Sequence, residues 1–179
     1  MELGCAIGKK GIDLIYGGAS IGLMGCVARG VHEEKGNVIG ILPEFFRSKD
    51  IEYLDADELI VTKDMRERKA KMDEKSDAFI VLPGGVGSMD ELLEVMVSNQ
   101  LGGINKPVGL LNINGYFDGF LSWLQHSVDE EFVSLENQNQ ILVNHDPQEL
   151  LGMILSAQMP SSDTWIERLN VDFSKIPKD

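Results

Sequence analysis

The stretch DAFIVLPGGVGSMDE, residues 77–91, decides the reading of this chain. Phe79–Leu82 is a short apolar run of the kind that forms a buried strand. Pro83, Gly84, Gly85 and Gly87 then force the backbone to turn. Ser88 is placed to cap a helix whose first turn carries Asp90 and Glu91. A strand, a glycine turn and a helix N-terminus together make a place for a phosphate. Ser88-x-x-Glu91 also reads as a capping box, with the Glu91 carboxylate reaching back to the Ser88 amide. The glycines ask for more than a cap, and close approach of backbone to a ligand is a physical reason for them.

Outward from this segment, the same grammar repeats. Leu3 and Ile7 lie near the end of a helix that runs through Lys9 and Lys10 to a stop at Gly11. Ile12–Tyr16 reads as a strand turned by Gly17, Gly18 and Ala19, with Ser20 near the start of a helix containing Leu23, Met24, Val27 and Val31. Gly36 stops that helix, and Val38–Leu42 is a strand ending at Pro43. Residues 44–58 read as a loop, Leu59–Thr62 as a short strand, and Met65–Lys75 as a charged helix with Met65, Lys69 and Met72 near one stripe. Val108–Leu111 and Ile141–Asn144 are further strands; Tyr116–His126 is an amphipathic helix, and Pro147 opens a last helix through Leu155. Strand and helix in alternation with short connections predict an α/β, Rossmann-like three-layer fold, a mostly parallel sheet flanked by helices. Residues 1–159 form one nucleotide-binding domain in this reading, and 160–179 a C-terminal extension. The chain opens within a helix where a doubly wound domain normally starts with a strand, so a sheet one strand short is expected.

At 179 residues and 43% hydrophobic, the chain is long enough for one real core. A formal net charge of −13 argues against nucleic acid or an anionic membrane as partner of the surface as a whole. It leaves room for a small phosphorylated ligand in a local pocket. Cys5 and Cys26 lack metal-ligand or redox spacing and read as reduced core cysteines of a cytoplasmic protein. No run of about 18 apolar residues and no signal-peptide pattern is present.

Glycine segment YGGASIGLMG, residues 16–25, follows its own strand. Helix–sheet packing and ligand contact both account for its glycines. Neither glycine segment is G-x-G-x-x-G, and neither ends in G-K-[ST], so a dinucleotide fingerprint and a P-loop are both missing. Two such turns at the carboxyl ends of neighbouring parallel strands line one crevice. MRERKAKM, residues 65–72, supplies cations beside them. Arg66 and Lys71 read as a solvated helix face, with pairs such as Glu67–Lys71. Arg68 is a fork suited to phosphate or carboxylate.

Taken in order and spacing, MRERKAKM, DAFIVLPGGVGSMDE, YGGASIGLMG, KPVGLLN and GYFDGFL resemble the LOG family, once labelled lysine decarboxylases, over about residues 1–155. The resemblance implies a cytokinin riboside 5′-monophosphate phosphoribohydrolase. Such an enzyme is a Rossmann-like homodimer that splits the N-glycosidic bond of a nucleoside monophosphate into free base and ribose 5-phosphate. It implies no nicotinamide, metal or pyridoxal phosphate. Carried over by motif, the catalytic pair corresponds to Arg68 and Glu91, with Lys69 beside Arg68 as a substrate contact. Gly84, Gly85, Gly87 and Ser88 match the phosphate-holding loop; Gly17, Gly18, Gly22, Leu23, Met24 and Gly25 match the other glycine segment. Ser88 stands where threonine is frequent, and Asp90 where glutamate is frequent. The family's usual first strand and its small-residue loop have no counterpart here, which implies a gap in sheet and pocket.

In that chemistry Glu91 stabilises the oxocarbenium-like sugar and orients water, while Arg68 orients phosphate or ribose oxygens. His32 and His126 are the candidates, by chemistry alone, for protonating the leaving base. The alternative is a non-catalytic nucleoside monophosphate-binding homodimer. A dinucleotide enzyme lacks its fingerprint, and a lysine decarboxylase lacks any lysine marked out for a Schiff base.

Overall fold

Helix α1 (Glu2–Lys9) ends at the left-handed Gly11, whose φ is 65°. The structure is a computed structural model describing residues 1–47, 49 and 51–159; the C-terminal extension expected over 160–179 lies outside the described residues. Strand β1 (Leu14–Tyr16) leads to α2 (Gly22–Glu33), then β2 (Val38–Pro43), the short α3 (Glu44–Arg47) and β3 (Glu58–Thr62). Helix α4 (Met65–Lys75), β4 (Phe79–Val81) and α5 (Val86–Gln100) follow. The rest is β5 (Val108–Leu111), α6 (Asp118–Asp129), α7 (Leu135–Asn139), β6 (Ile141–Asn144) and α8 (Pro147–Ser156).

Strand β2 is the continuous apolar run VIGILP and is buried at every residue, as a central parallel strand must be. It pairs in parallel with β1 and β3, setting Tyr16 opposite Gly40 and Ile41 opposite Ile60. Strand β5 is likewise buried throughout and pairs in parallel with β4 and β6, setting Ile80 opposite Gly109 and Leu110 opposite Val143. The α/β class and the parallel ladders are as expected. The ladders form two three-stranded sheets, β1-β2-β3 and β4-β5-β6, rather than one. One core nevertheless spans them: Tyr16 and Leu14 of β1 pack in the same cluster as Ile80 of β4, Leu111 of β5 and Leu150 of α8. Each fully buried Leu or Phe contributes roughly 1.5–3 kcal/mol of hydrophobic stabilisation. A second cluster, with Leu92 and Val95 of α5 against Val108, Leu110 and Phe117, seats α5 on β5.

Helices α1 and α2 approach closely where Gly4 meets Gly30, and a methyl at Gly30 would stand 2.6 Å from the Met1 carbonyl oxygen. Helix α8 opens as expected, with Pro147 at the first helical position, and Asp146 caps it by accepting from the Gln148 and Glu149 amides.

Several local expectations need correction. Helix α5 starts at Val86 with Gly85 as its cap residue, so Ser88 lies inside the first turn and makes no capping box with Glu91. Loop 44–58 contains α3, and α7 was not anticipated. Helix α2 ends before Gly36, and Lys35 takes the left-handed turn at φ 60°. Gly36 is instead small to fit, since a methyl there would meet Val31 Cγ1 at 2.7 Å. Cys5 and Cys26 are free but half-buried rather than core residues.

Candidate active site

Helix α4 begins with a reciprocal cap. The Asp64 carboxylate accepts from the Glu67 amide at 2.9 Å, and the Glu67 carboxylate accepts from the Lys63 amide at 2.9 Å. Glu67 is thereby drawn back to the helix start, and Lys71 pairs with Glu74 at 2.8 Å rather than with Glu67. This cap fixes the first turn, and the residue that α4 buries is Arg68, only 8% exposed. The stripe through Met65, Lys69 and Met72 is only half-buried.

Buried guanidinium groups need every direction answered. Arg68 Nε donates to the Ile41 carbonyl of β2 at 3.1 Å, and Nη1 donates to Glu91 Oε1 at 2.5 Å. On the third side a methyl at Gly17 would stand 2.6 Å from Nη2 and 3.2 Å from Met24 Sδ. One side chain thus touches the ends of β1 and β2 and the second turn of α5. It links the first glycine segment to the helix that follows the second, and the Glu91 side chain is 37% exposed.

Around the first glycine turn, segment 51–57 is strapped across. The Ser20 amide donates to the Ile51 carbonyl at 2.8 Å, the Tyr53 amide donates to the Gly18 carbonyl at 2.9 Å, and Ala19 bridges Glu52. Gly18 at φ 76° and Gly22 at φ 57° adopt backbone that other residues avoid. Met24 is exposed beside Gly17. At the second turn, Gly85 and Gly87 face open space, and the first amides of α5 have no side-chain cap. The Tyr116 hydroxyl donates to the Gly84 carbonyl at 2.6 Å, holding the turn from the far side.

Lys69 points away from Arg68. Its ammonium lies 2.9 Å from Asp90 Oδ2 and 2.6 Å from Glu94 Oε2, and these partners, Glu94 first, push its pKa up. The Tyr16 hydroxyl, one residue before the glycines, is buried without a hydrogen-bond partner among the described residues, and burial pushes it well above the usual phenol range. His32 lies in the last turn of α2, with Nδ1 2.9 Å from the Tyr53 hydroxyl and Nε2 3.0 Å from Asp57 Oδ2. Its two ring nitrogens are engaged there. His126 sits in the last turn of α6. Tyr116 and the Ile41 carbonyl went unnoticed in the sequence. The tyrosine had a signal, an aromatic hydroxyl directly after Asn114-Gly115, where both residues take positive φ; a backbone carbonyl has none. Among the described residues no group of three or more His, Cys, Asp or Glu could hold a metal ion, and no helix is long and apolar enough to cross a membrane.

Comparison with known proteins adds independent findings. A family described as "Possible lysine decarboxylase" matches residues 24–154. A probable cytokinin riboside 5′-monophosphate phosphoribohydrolase of Oryza sativa subsp. japonica is 41% identical over 176 residues, 98% of this chain and 70% of the relative. A cytokinin riboside 5′-monophosphate phosphoribohydrolase of Arabidopsis thaliana is 38% identical over 169 residues, 94% of this chain and 79% of that one. Among solved structures, the molybdenum cofactor binding protein of Rippkaea orientalis superposes with a TM-score of 0.64 at 25% identity, over 87% of this chain and 83% of that one. The molybdenum cofactor carrier protein of Chlamydomonas reinhardtii gives 0.64 at 24% identity, over 87% of this chain and 85% of its own, and so shares the fold.

Proposed function

The chain belongs to the LOG family of cytokinin riboside 5′-monophosphate phosphoribohydrolases, and from that premise we propose that it hydrolyses the N-glycosidic bond of a purine or cytokinin riboside 5′-monophosphate. The products are free base and ribose 5-phosphate. The observation that carries this reading is the Arg68–Glu91 pair, set between two glycine turns at strand ends.

As the bond from C1′ to the base nitrogen lengthens, its electron pair leaves with the base and positive charge grows on the ribose. A carboxylate held at the crevice answers that charge and draws a proton from the attacking water, whose oxygen bonds to C1′. The base nitrogen takes up a proton, so one water is consumed in all. Glu91 is the carboxylate in this scheme. Arg68 keeps it aimed, and supplies a donor toward ribose or phosphate oxygens. The substrate's 5′-phosphate sits at Gly84, Gly85, Gly87 and Ser88, where the first amides of α5 and the helix dipole favour an anion. Gly17, Gly18, Gly22 and Met24 form the opposite wall. Phosphate binding remote from the reacting bond is used to position it.

Homodimerisation is part of the same proposal. Val86, Leu93, Val97 and Leu101 are exposed along α5, and Ile21, Leu23 and Met24 are exposed at the start of α2. An apolar stripe beside a crevice is an interface for a second copy. Light scattering of the purified chain at micromolar concentration is expected to give twice the monomer mass. A cytoplasmic setting suits the two free cysteines.

The decisive experiment follows base release from AMP and from isopentenyladenosine monophosphate, by the wild type beside Glu91→Ala. Release by the parent, reduced about 10²–10³-fold in the variant, is expected. Binding of AMP without release by a folded parent would replace hydrolysis with the nucleotide-binding reading.

A further inference from the structure

We propose that Lys69 is a positioning residue: it clips α4 to α5 through Asp90 and Glu94, fixes the rotation of α5 about its axis, and so aims Glu91 without touching the substrate phosphate. The proposal rests on the hydrolase reading for its kinetic consequences, and on the ion pairs alone for its structural ones.

Arg68 and Lys69 are consecutive, so on α4 they diverge by about 100°. Arg68 turns inward to the Ile41 carbonyl, and Lys69 turns along the α4–α5 seam. Asp90 and Glu94 are four apart and stack on one stripe of α5, with Glu91 on the adjacent stripe. The Lys69 ammonium reaches both members of its stripe, at 2.9 Å and 2.6 Å, while Arg68 reaches Glu91. Two grips on neighbouring stripes define how far α5 can roll; one grip alone does not. A carboxylate carried about 6 Å from a helix axis moves by about 1 Å for a 10° roll, and a displacement of that size costs roughly 10²-fold in rate.

The charges tell against a phosphate ligand. Glu94 buries its Oε2 within a side chain that is 40% exposed, and the cation facing that oxygen, at 2.6 Å, is Lys69. Releasing the ammonium to a substrate would leave one buried carboxylate oxygen without its counter-charge, which is unfavourable. Nearby, burial raises the Asp73 carboxyl, and Lys106 donates to the Asp73 backbone carbonyl. Only 21% of the Lys69 side chain is exposed, against 55% of Asp90.

The test compares wild type, Lys69→Met, Lys69→Arg and Glu94→Gln, reading kcat and KM for AMP and the inhibition constant of ribose 5-phosphate. Lys69→Met is expected to lower kcat by about 10–100-fold, with KM and the ribose 5-phosphate constant changed by less than about 3-fold. Lys69→Arg recovers part of kcat by restoring a cation on the seam. A rise of about 10-fold or more in KM and in the ribose 5-phosphate constant, with kcat kept, would make Lys69 a phosphate ligand and overturn the proposal. Thermal melts of Lys69→Met, Glu94→Gln and the double variant form a second readout that needs no turnover. Losses that fail to couple overturn the clip. If the chain releases no base while the melts do couple, hydrolysis fails and the clip stands.

Discussion

YGGASIGLMG and LPGGVGSMDE look alike on paper: each is a strand end, a run of glycines and the start of a helix. In the molecule most of their glycines are used differently, although Gly22 of the first faces open space and Gly84 of the second is crowded by Ser88. The space beside Gly17 is filled by the Arg68 guanidinium and Met24, that beside Gly18 by Leu42, and that beside Gly25 by the Ser20 carbonyl. Beside Gly85 and Gly87 there is nothing within contact distance. Gly17, Gly18 and Gly25 are small so that protein can approach protein; Gly85 and Gly87 leave the backbone beside them open. A glycine motif therefore states only that something comes close, and the identity of that something belongs to the fold.

This contrast can be broken by substituting alanine on each side of it. Gly25→Ala carries the largest expected effect, because its methyl would collide with the Ser20 backbone oxygen, which cannot rotate away. A loss of about 3 kcal/mol in a urea titration is expected. A wild-type midpoint there would mean that the first turn is not packed as described. Gly17→Ala comes next. Its methyl meets the end of a side chain already anchored at Nε and Nη1, so the guanidinium is displaced while the fold holds. Base release from AMP is expected to fall about 10²-fold, mainly in kcat, with a melting temperature lowered less than by Gly25→Ala. Gly85→Ala acts on the open turn, and the expected change is a KM raised by up to about 10-fold with stability unchanged. If the KM effect belonged to Gly17 and the kcat effect to Gly85, the two turns would have exchanged roles.

The smallest effect concerns the strap, which covers only the first turn. Asp57 accepts from the Val38 amide at 2.8 Å and lies 3.0 Å from His32 Nε2; these contacts, the amide first, hold its carboxyl below the usual carboxylate range. A lowered folded-state pKa contributes stability above the unfolded value, about 3.9, and that contribution is lost as the pH falls through the folded value. Asp57→Asn is expected to melt about 1–3 °C below wild type at pH 7, with the gap closing below pH 4. A gap that widens in acid would assign the strap's hold to other groups. The carboxylate is half-exposed, so the effect stays small.

How much of this was legible varies with how local the cause is. The strands VIGILP and VGLL are runs of apolar residues between turn formers, and each folds where its pattern says. Pro147 after Asp146 marks a helix start by chemistry confined to neighbouring residues. Arg68 and Glu91 were singled out by motif, and the structure brings them to 2.5 Å. Ser88 misled because a serine three residues before a glutamate is a cap only if the helix begins there; the open backbone at Gly85 lets it begin earlier. Lys69 is read as a substrate contact from its place beside a phosphate-suited arginine, and the ion pairs to Asp90 and Glu94 across the seam are a partner set that no local pattern announces.

By itself the sequence determined the alternation of strand and helix and the parallel class of sheet. Both depend on composition and spacing over a few tens of residues. Only the tertiary structure decided that the ladders part into two sheets, that Arg68 is answered by a carbonyl of β2 and a carboxylate of α5, and which glycine turn stays open. Those facts join residues more than twenty positions apart, and a buried charge finds its partners through packing, on which local pattern is silent.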